Sequence, residues 1–265
     1  MSWHQVRDIR LYYETTGEGV PLLFLHGLGS SACDWKHQTP FFAQRFRVVI
    51  PELRGHGRSE KPPGPYSMAL FARDIAGLIE SLAIAPAHVV GLSLGGFVAF
   101  QLAVDYQHLV RSLVVVNSAP GLPRGSLGER AQVAWALLLR RLIVRLFGMR
   151  MLGRFLSRTH FPRPDQAALK RSFVERWAQN HPDAYLRSLA AVSHWGIEEH
   201  LESITCPVCV ISGENDFIPL ELKRSYTAKL PNGRLVIIPA SGHLTPVDNP
   251  EQFNRALLSF LDRRG

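Results

Sequence analysis

The amino-acid sequence predicts an α/β protein with a mostly parallel central β-sheet, helices on both faces and an inserted all-helical cap. First, short aliphatic runs recur along the chain, and most are continuous rather than alternating, as in strands that are covered on both faces. Second, helical patterns separate these runs, and strand–helix alternation is typical of a parallel sheet. Third, the alternation stops over residues 121–200, where the patterns are helical, and it resumes afterwards.

Six runs predict buried strands, and two helical patterns lie between them. Ser67 is the expected N-cap of the first helix, because its hydroxyl can accept a hydrogen bond from a backbone N–H of the first turn. Apolar residues in that helix recur at every third or fourth position, which indicates one buried face. The strands are predicted over 21–25, 46–50, 87–92, 110–116, 206–212 and 233–239, and the helices over 67–82 and 95–106.

Residues 121–200 predict a helical cap that is inserted into a core of residues 1–120 and 201–265. The stretch AQVAWALLLRRLIVRLF at 131–147 is apolar on nearly all sides and is interrupted by three arginines. Because the strand–helix pattern continues after the cap, we expect one capped domain rather than a separate C-terminal domain.

Length and composition fit a globular protein with a sizeable core, since the 265 residues are 46% hydrophobic and 20% charged. The first residues, MSWHQVRDIRLYY, lack the apolar stretch of a secretory signal peptide, and no segment approaches a membrane span, so we expect a cytoplasmic protein. Cys206 and Cys209 form a CPVC. Residues three apart on a strand point to opposite faces, which favours buried structural thiols over a redox pair or a zinc site. We expect no metal and no cofactor.

The formal net charge of +8 is concentrated in the predicted cap, which holds 13 Lys and Arg against 6 Asp and Glu. Arg150, Arg154 and Arg158 recur every fourth residue and would form one basic stripe on a helix. Two interpretations are open. The stripe is either a solvated face that keeps an apolar cap soluble, or a contact for an acidic acyl-carrier protein, an acidic substrate head group or an anionic lipid surface. No nucleic-acid partner is expected, because no binding motif accompanies the basic residues.

A serine lies between glycines in GLSLGG at 91–96, where one buried run ends and another begins. Glycines at these positions would make room for a strained strand-to-helix turn that raises the hydroxyl of Ser93 toward a reactant. A serine hydroxyl becomes nucleophilic when a base takes its proton and an acid orients that base. In a parallel sheet, such groups belong in the loops at the carboxyl ends of the strands.

Asp216 and His243 are the candidate acid and base. GENDFIP places Asp216 just after the strand at 206–212, and SGHLTP places His243 just after the strand at 233–239. Asp216 could instead cap the helix that follows it, and Glu214 is the competing acid. His243 could instead be a satisfied buried histidine.

The loop FLHGLGS at 24–30 is the candidate source of an anion-stabilising group. Its glycines allow backbone N–H groups to point into a cavity. The N–H groups of Leu28 and Leu94 would form an oxyanion hole for a tetrahedral intermediate. His26 and His56 are expected to be hydrogen-bonded scaffolding, and Trp35 is expected to pack the helix after the loop rather than to touch substrate.

Taken in order, the motifs HGLG, RGHGRS, GLSLGG, GENDFIP and SGHLTPVDNPEQF resemble those of the α/β-hydrolase superfamily. The resemblance covers the chain except the cap, and it implies Ser93 as nucleophile, Asp216 as acid and His243 as base. Relatives often have Asp at the position of Glu52, which we expect to be structural. A serine at the elbow argues against the family's haloalkane dehalogenases and epoxide hydrolases.

The resemblance implies a cofactor-free serine hydrolase that cleaves a carboxylic ester or thioester through an acyl-enzyme. The stretch PGPYSMALFARDIAGL also resembles the family's enol-lactonases and small-ester hydrolases. Carbon–carbon bond hydrolases and haloperoxidases of this fold carry the same triad and remain alternatives. A ligand receptor on the hydrolase scaffold is a further alternative, because a fold does not determine a function.

Overall fold

An eight-stranded sheet forms the centre of the structure, a computed structural model that describes residues 2–122 and 125–262. The strand order is β1-β2-β4-β3-β5-β6-β7-β8. Strands β3 to β8 are parallel to one another, whereas β2 is antiparallel to both of its neighbours, β1 and β4. The strands are β1 Ser2–Val6, β2 Ile9–Thr16, β3 Val20–Leu25, β4 Phe46–Pro51, β5 Ala87–Leu92, β6 Val110–Val116, β7 Val208–Gly213 and β8 Gly233–Ile238.

Helices cover both faces of this sheet, so the predicted fold class is confirmed. Helices α2 and α3 pack on one face, and α9 packs on the other. None of the helices in the described part of the chain is long and apolar enough to cross a membrane. The α-helices that the structure describes are α1 Thr39–Phe42, α2 Met68–Ser81, α3 Leu94–Asp105, α4 Leu127–His160, α5 Ala167–Ala178, α6 Pro182–Ser193, α7 Leu220–Thr227, α8 Thr245–Asp248 and α9 Pro250–Leu261.

Alternate residues of the central strands enter two separate apolar cores. In β6, Leu113 and Val115 pack with the residues of α2 and α3, whereas Val114 and Val116 pack on the opposite face with those of α9. Burial on both faces is why these strands appear in the sequence as continuous apolar runs. The two cysteines of CPVC are also divided between these cores as free thiols, which confirms the structural interpretation.

The N-terminal strands β1 and β2 were not expected from the sequence. β1 is an edge strand and β2 lies next to it; only the start of β2 alternates, with Ile9 and Leu11 buried and Arg10 exposed between them. The predicted helix cap is confirmed, because Ser67 Oγ accepts a hydrogen bond from the N–H of Leu70 at 3.1 Å.

All the regular elements that the structure describes between β6 and β7 are helical, as expected for the predicted cap. Ser126 begins α4 with a capping box, and the helix changes direction at Gly148, where φ is +74°. Helix α4 then packs against α5 and α6. The proposed division into a core of 1–120 and 201–265 and a cap of 121–200 stays a prediction. Within it, residues 1, 123, 124 and 263–265 lie outside the described residues.

Candidate active site

Ser93 occupies a sharp turn between β5 and α3. Its φ of 53° and ψ of −112° lie in a region that residues other than glycine rarely adopt. The Ser93 N–H donates to the carbonyl of Val116 at 2.9 Å, and the Ser93 carbonyl accepts from Ser118 Oγ at 2.7 Å. These bonds hold a strained backbone in place, and strain of this kind is concentrated at functional sites.

The glycines around Ser93 allow the backbone of α3 to approach the sheet. A Cβ atom at Gly91 would overlap the carbonyl of Gly95, and a Cβ at Gly95 would overlap the carbonyl of Leu25 on β3. A Cβ at Gly96 would overlap the side chain of Ser118. All three positions therefore need glycine for close packing, although none of them has a positive φ.

Asp216 and His243 come together at the carboxyl ends of β7 and β8. His243 Nδ1 and Asp216 Oδ1 are 2.6 Å apart, and both side chains are buried. Glu214 is exposed, and its carboxylate accepts a hydrogen bond from the N–H of Ala240 at 2.9 Å. Of the two candidate acids, Asp216 is therefore the one that contacts the histidine.

A cavity of about 380 Å³ lies over these loops, with helices α4, α5 and α6 on its far side. Ser93 and His243 both line it, but no hydrogen bond joins the Ser93 hydroxyl to His243 among the described residues. Catalytic hydrogen bonds are often long in structures without substrate. Leu28 and Leu94 also line the cavity, and within the described ranges neither of their N–H groups donates to another protein group. The structure thus brings four of the five predicted site residues, Leu28, Ser93, Leu94 and His243, to one cavity, and the fifth, Asp216, contacts His243 from outside the lining.

Lys223 is a site residue that sequence reasoning missed. Its side chain is fully buried, and its Nζ forms an ion pair with Asp216 Oδ2. The same Nζ donates to Ser212 Oγ at 2.7 Å. The available signal in the sequence was weak, because a lysine in KRSYTAK is ordinarily assigned to a solvent-facing helix surface.

The carboxylate of Asp216 is ionised despite its burial. Burial alone would raise its pKa, but the charges and hydrogen bonds of His243 and Lys223 outweigh this effect and hold the pKa at about 2. Burial in turn lowers the pKa of Lys223, and Asp216 opposes that change.

Asn117, at the end of β6, connects the loops that carry Asp216 and His243. Its amide nitrogen donates to the carbonyl of His243 at 2.8 Å and to Thr245 Oγ1 at 2.7 Å. Its amide oxygen accepts from the N–H of Gly213 at 2.8 Å. Three successive strand ends are therefore linked through one side chain, which fixes the position of the histidine loop.

Two rings from other segments pack on the imidazole of His243. The ring of Phe217 stacks on it with centroids 4.1 Å apart, and His160 at the end of α4 meets it edge-on at 5.3 Å. Burial, and then the nearby His243 and Arg140, lower the pKa of His160 well below its usual range. His160 is therefore neutral beside His243.

Asp34 and Arg140 are the charged residues that line the cavity within the described ranges. The carboxylate of Asp34 is fully engaged, because it accepts hydrogen bonds from Ser30 Oγ at 2.5 Å and the Gly27 N–H at 3.3 Å and pairs with Arg176 at 3.5 Å. Arg140 is half-buried and has no carboxylate within 4.0 Å among the described residues. The uncompensated charge in the cavity is therefore positive.

The predicted scaffolding roles of the remaining motif residues are confirmed by their contacts. His26 is buried, with its two ring nitrogens bonded to the Gly27 carbonyl and the Leu53 N–H. His56 is buried and bonded to the carbonyl of Arg54, and burial lowers its pKa to about 3. None of these residues lines the cavity.

Glu52 and Trp35 also have structural surroundings. The buried carboxylate of Glu52 accepts the backbone N–H of Arg58 at 2.5 Å and pairs with the Arg58 guanidinium at 2.8 Å. Trp35 is fully buried and packs against Phe24 and Phe253, away from the cavity. Both expectations from the sequence are therefore confirmed.

The sequence is similar to known proteins of one family. The profile of the "Alpha/beta hydrolase family" matches residues 22–256. The chain belongs to the alpha/beta hydrolase family. This alpha/beta hydrolase is 27% identical to 3-oxoadipate enol-lactonase 2 of Acinetobacter baylyi, over 97% of the chain and 95% of that protein.

Solved structures resemble this alpha/beta hydrolase over nearly its whole length. A thermophilic esterase from Thermogutta terrifontis superimposes with a TM-score of 0.86 at 26% identity, covering 97% of this chain and 94% of that one. The enol-lactonase from Burkholderia xenovorans LB400 superimposes with a TM-score of 0.90 at 23% identity, covering 98% and 100%, and shows the fold alone. The hydrolase relatives indicate an enzyme of the hydrolase class.

Proposed function

We propose that this alpha/beta hydrolase is a cofactor-free serine hydrolase that cleaves a carboxylic ester or thioester through an acyl-enzyme. One observation carries the proposal. A serine held in a strained turn lines the same cavity as a histidine whose other ring nitrogen lies 2.6 Å from a buried, ionised carboxylate. Nucleophile, base and orienting acid are the groups that acyl transfer requires.

In the proposed reaction, Ser93 Oγ attacks the substrate carbonyl while His243 Nε2 takes the hydroxyl proton. The oxyanion that forms accepts hydrogen bonds from the N–H groups of Leu28 and Leu94. Collapse of this intermediate breaks the bond to the alcohol or thiol, which leaves with the proton from His243. Water then repeats the sequence on the acyl-enzyme, and Asp216 stays ionised throughout.

The apolar lining of the cavity supports an acyl substrate, because each buried CH₂ group contributes about 0.8 kcal/mol to binding. The enol-lactonase and esterase relatives support cleavage at a carbonyl carbon. Carbon–carbon bond hydrolysis and haloperoxidase chemistry would use the same three side chains, so ester turnover is the property that separates the proposal from them.

The first test is hydrolysis of short p-nitrophenyl esters by wild-type protein and by Ser93→Ala and His243→Ala variants. Repeated turnover is expected for wild type, with a loss of about 10⁴-fold or more in kcat for each variant at unchanged thermal stability. A serine-directed phosphonate should label Ser93. A single stalled acylation, or labelling of another residue, would contradict the proposal, and the stalled acylation would favour the receptor alternative.

The second test determines whether Asp216 or Glu214 is the acid that orients His243. Asp216→Asn is expected to lower kcat severely, because the imidazole loses the partner that orients it. Glu214→Gln is the matched control, since Glu214 is exposed and contacts Ala240 rather than His243. Near-normal activity in Asp216→Asn combined with collapse in Glu214→Gln would show that the acid is misassigned.

A further inference from the structure

The outer face of α4 exposes a stripe of large apolar side chains to solvent. Trp135, Leu138, Leu142 and Leu146 are 61%, 44%, 42% and 68% exposed, respectively. Their spacings of three and four residues place them on one side of the helix. We call these four residues the outer stripe.

Exposed apolar residues continue along the same helix on both sides of its bend at Gly148. Phe147, Met151 and Phe155 are at least 40% exposed. Of the eleven large hydrophobic residues that are exposed in the described part of the chain, eight lie on α4. A concentration of exposed apolar residues on one element marks a contact site for proteins or membranes.

Arginines accompany this apolar surface. Arg141 lies beside the outer stripe, and Arg154 and Arg158 lie beside Met151 and Phe155 on the second half of the helix. Arg141 and Arg158 have no acidic partner within 4.0 Å in the described ranges.

Of the three arginines in the predicted basic stripe, Arg150 does not contribute an uncompensated charge. Arg150 is paired with Glu175 of α5 by two hydrogen bonds of 2.6 and 2.8 Å, so its charge is compensated within the protein. Arg154 and Arg158 keep their exposed positions. The uncompensated cations lie next to the apolar surface rather than in a separate stripe.

We propose that the outer face of α4 docks the enzyme onto an anionic lipid bilayer. A helix with exposed Trp, Leu and Phe residues beside arginines has the composition of helices that lie in the plane of a membrane interface. The apolar side chains would enter the boundary between head groups and acyl chains, while the arginines would pair with lipid phosphates.

Charge and polarity favour this occupant over two others. A second copy docked through a two-fold axis would place the unpaired arginines of both copies in one interface, because such an interface uses the same surface on both copies. An acidic carrier protein would satisfy the arginines but would not by itself bury the outer stripe. An anionic bilayer would both pair with the arginines and bury the outer stripe.

The same helix connects this surface to the cavity. Val133, Leu137 and Arg140 on its inner side line the active-site cavity. A neighbouring groove of about 340 Å³ shares Val133 and Leu137 with that cavity and is also lined by Leu138 and Arg141 from the outer surface. The substrate assignment rests on the proposed function. The substrate class is an acyl ester that dissolves in the bilayer and reaches Ser93 along this groove.

The binding test is flotation of the full-length protein with vesicles of phosphatidylcholine, with and without phosphatidylglycerol. Binding is expected with phosphatidylglycerol and should weaken as salt rises, because exposed charges are screened. Trp135→Gln combined with Leu142→Gln should lower the partition coefficient at least tenfold. Trp3→Gln combined with Phe41→Gln is the matched control, since it removes two exposed aromatic residues far from α4 in the sequence and should not change binding.

The arginines are tested separately. Arg141→Gln and Arg158→Gln should each lower the partition coefficient about fivefold, the factor that corresponds to about 1 kcal/mol per basic residue near an anionic membrane. Arg224→Gln, an exposed position on α7, removes the same charge elsewhere and should have no such effect. An equal decrease of the partition coefficient in all three variants would mean that binding is a non-specific attraction by net charge, and it would overturn the proposal.

Tryptophan fluorescence reports the geometry of docking. Trp35, Trp177 and Trp195 are buried, so in a Trp3→Phe protein the exposed tryptophan is Trp135. Brominated lipids should quench it on binding, and the quenching should disappear in Trp3→Phe with Trp135→Phe. If Trp135 becomes buried as the protein concentration rises in the absence of lipid, the surface is a contact with a second copy. Binding to an acyl-carrier protein without binding to vesicles would assign it to that partner.

Hydrolysis of a short soluble ester is measured on the variants whose residues line neither the cavity nor the groove, which are all of them except Arg141→Gln. Unchanged soluble-ester activity with lost vesicle binding supports the docking surface independently of the reaction. Failure of wild type to hydrolyse any ester, with vesicle binding intact, would overturn the proposed function and leave the docking surface standing.

Discussion

Lys223 pairs with the carboxylate oxygen of Asp216 that does not contact His243. His243 contacts Oδ1, while Lys223 pairs with Oδ2 and is itself held by Ser212. Both carboxylate oxygens are thus bound, which fixes the orientation of the group. A buried cation next to the carboxylate also offsets part of its negative charge, so that the carboxylate stabilises an imidazolium less than an unpaired carboxylate would.

Replacement of Lys223 by Met should therefore move the acid limb of the pH profile of kcat/KM to higher pH. Without the lysine, Asp216 attracts the protonated imidazole with its full charge, and the base is lost at a higher pH. The other groups that face His243 are the neutral His160, whose pKa the nearby Arg140 also lowers, and the uncharged ring of Phe217.

The measurement is the pH dependence of ester hydrolysis for wild type and Lys223→Met. Lys229→Met, at an exposed position, is the control and should keep the wild-type profile. Lower activity at every pH with an unmoved acid limb would mean that Lys223 only supports the fold.

Asp216 should also contribute pH-dependent stability. Its pKa in the folded protein is about 2, below the ordinary value of 3.8. A depressed carboxyl pKa stabilises the folded state above the unfolded pKa, and this stabilisation is lost as the pH falls from about 4 through about 2. The shift corresponds to about 2 kcal/mol in the free energy of unfolding.

Urea unfolding of wild type and Asp216→Asn near pH 6 and near pH 2 checks this contribution. The deficit of the variant should be about 2 kcal/mol larger near pH 6 than near pH 2. Glu214→Gln should show no comparable change, because Glu214 is exposed. A deficit of the same size at both pH values would mean that packing rather than charge is lost in the variant.

The main features of the fold could be predicted because buried parallel strands leave continuous apolar runs. Strands β5 and β6 begin and end where the sequence predicts. The edge strand β1 and its neighbour β2 were missed, since alternating polarity over few residues is a weak signal. The catalytic candidates Ser93, Asp216 and His243 were predictable from their place after strands.

Contacts that depend on tertiary packing were not predictable. Lys223 lies in a mostly polar segment, and only the folded structure places it, fully buried, next to Asp216. The exposure of Trp135 and Leu146 was also unexpected, because an apolar helix in a cap is ordinarily assigned to an interior. Such assignments need the position of neighbouring helices, which local sequence does not contain.

The glycines of the turn give a third prediction. Gly95→Ala should destabilise the protein by about 1–3 kcal/mol, the usual cost of inserting a group into a packed region, since its Cβ would overlap the carbonyl of Leu25. It should also slow phosphonate labelling of Ser93 by displacing the turn. Gly128→Ala in the first turn of α4 is the control, because its Cβ would meet only Ser126 Oγ at 3.8 Å. Wild-type stability in Gly95→Ala would show that α3 can move away from β3.

Arg140 should select between charged and neutral substrates. It contributes a guanidinium to a mostly apolar cavity in which Asp34 is already engaged. A carboxylate placed in such surroundings is costly unless it is paired. Hydrogen bonds to charged groups contribute about 1.5–3 kcal/mol. We therefore expect that Arg140→Gln lowers kcat/KM for a p-nitrophenyl half-ester of a dicarboxylic acid by about 10- to 100-fold.

The neutral ester of the same chain length is the comparison substrate, and its kcat/KM should change little in Arg140→Gln. Arg224→Gln is the matched control variant, because this exposed arginine lines neither the active-site cavity nor the neighbouring groove and should leave both rates as in wild type. An equal loss on both esters in Arg140→Gln would mean that the arginine supports the cavity wall near Tyr185 rather than binding the acyl group. A loss confined to the half-ester, largest in KM and reduced at high salt, is the result expected of a carboxylate-binding side chain.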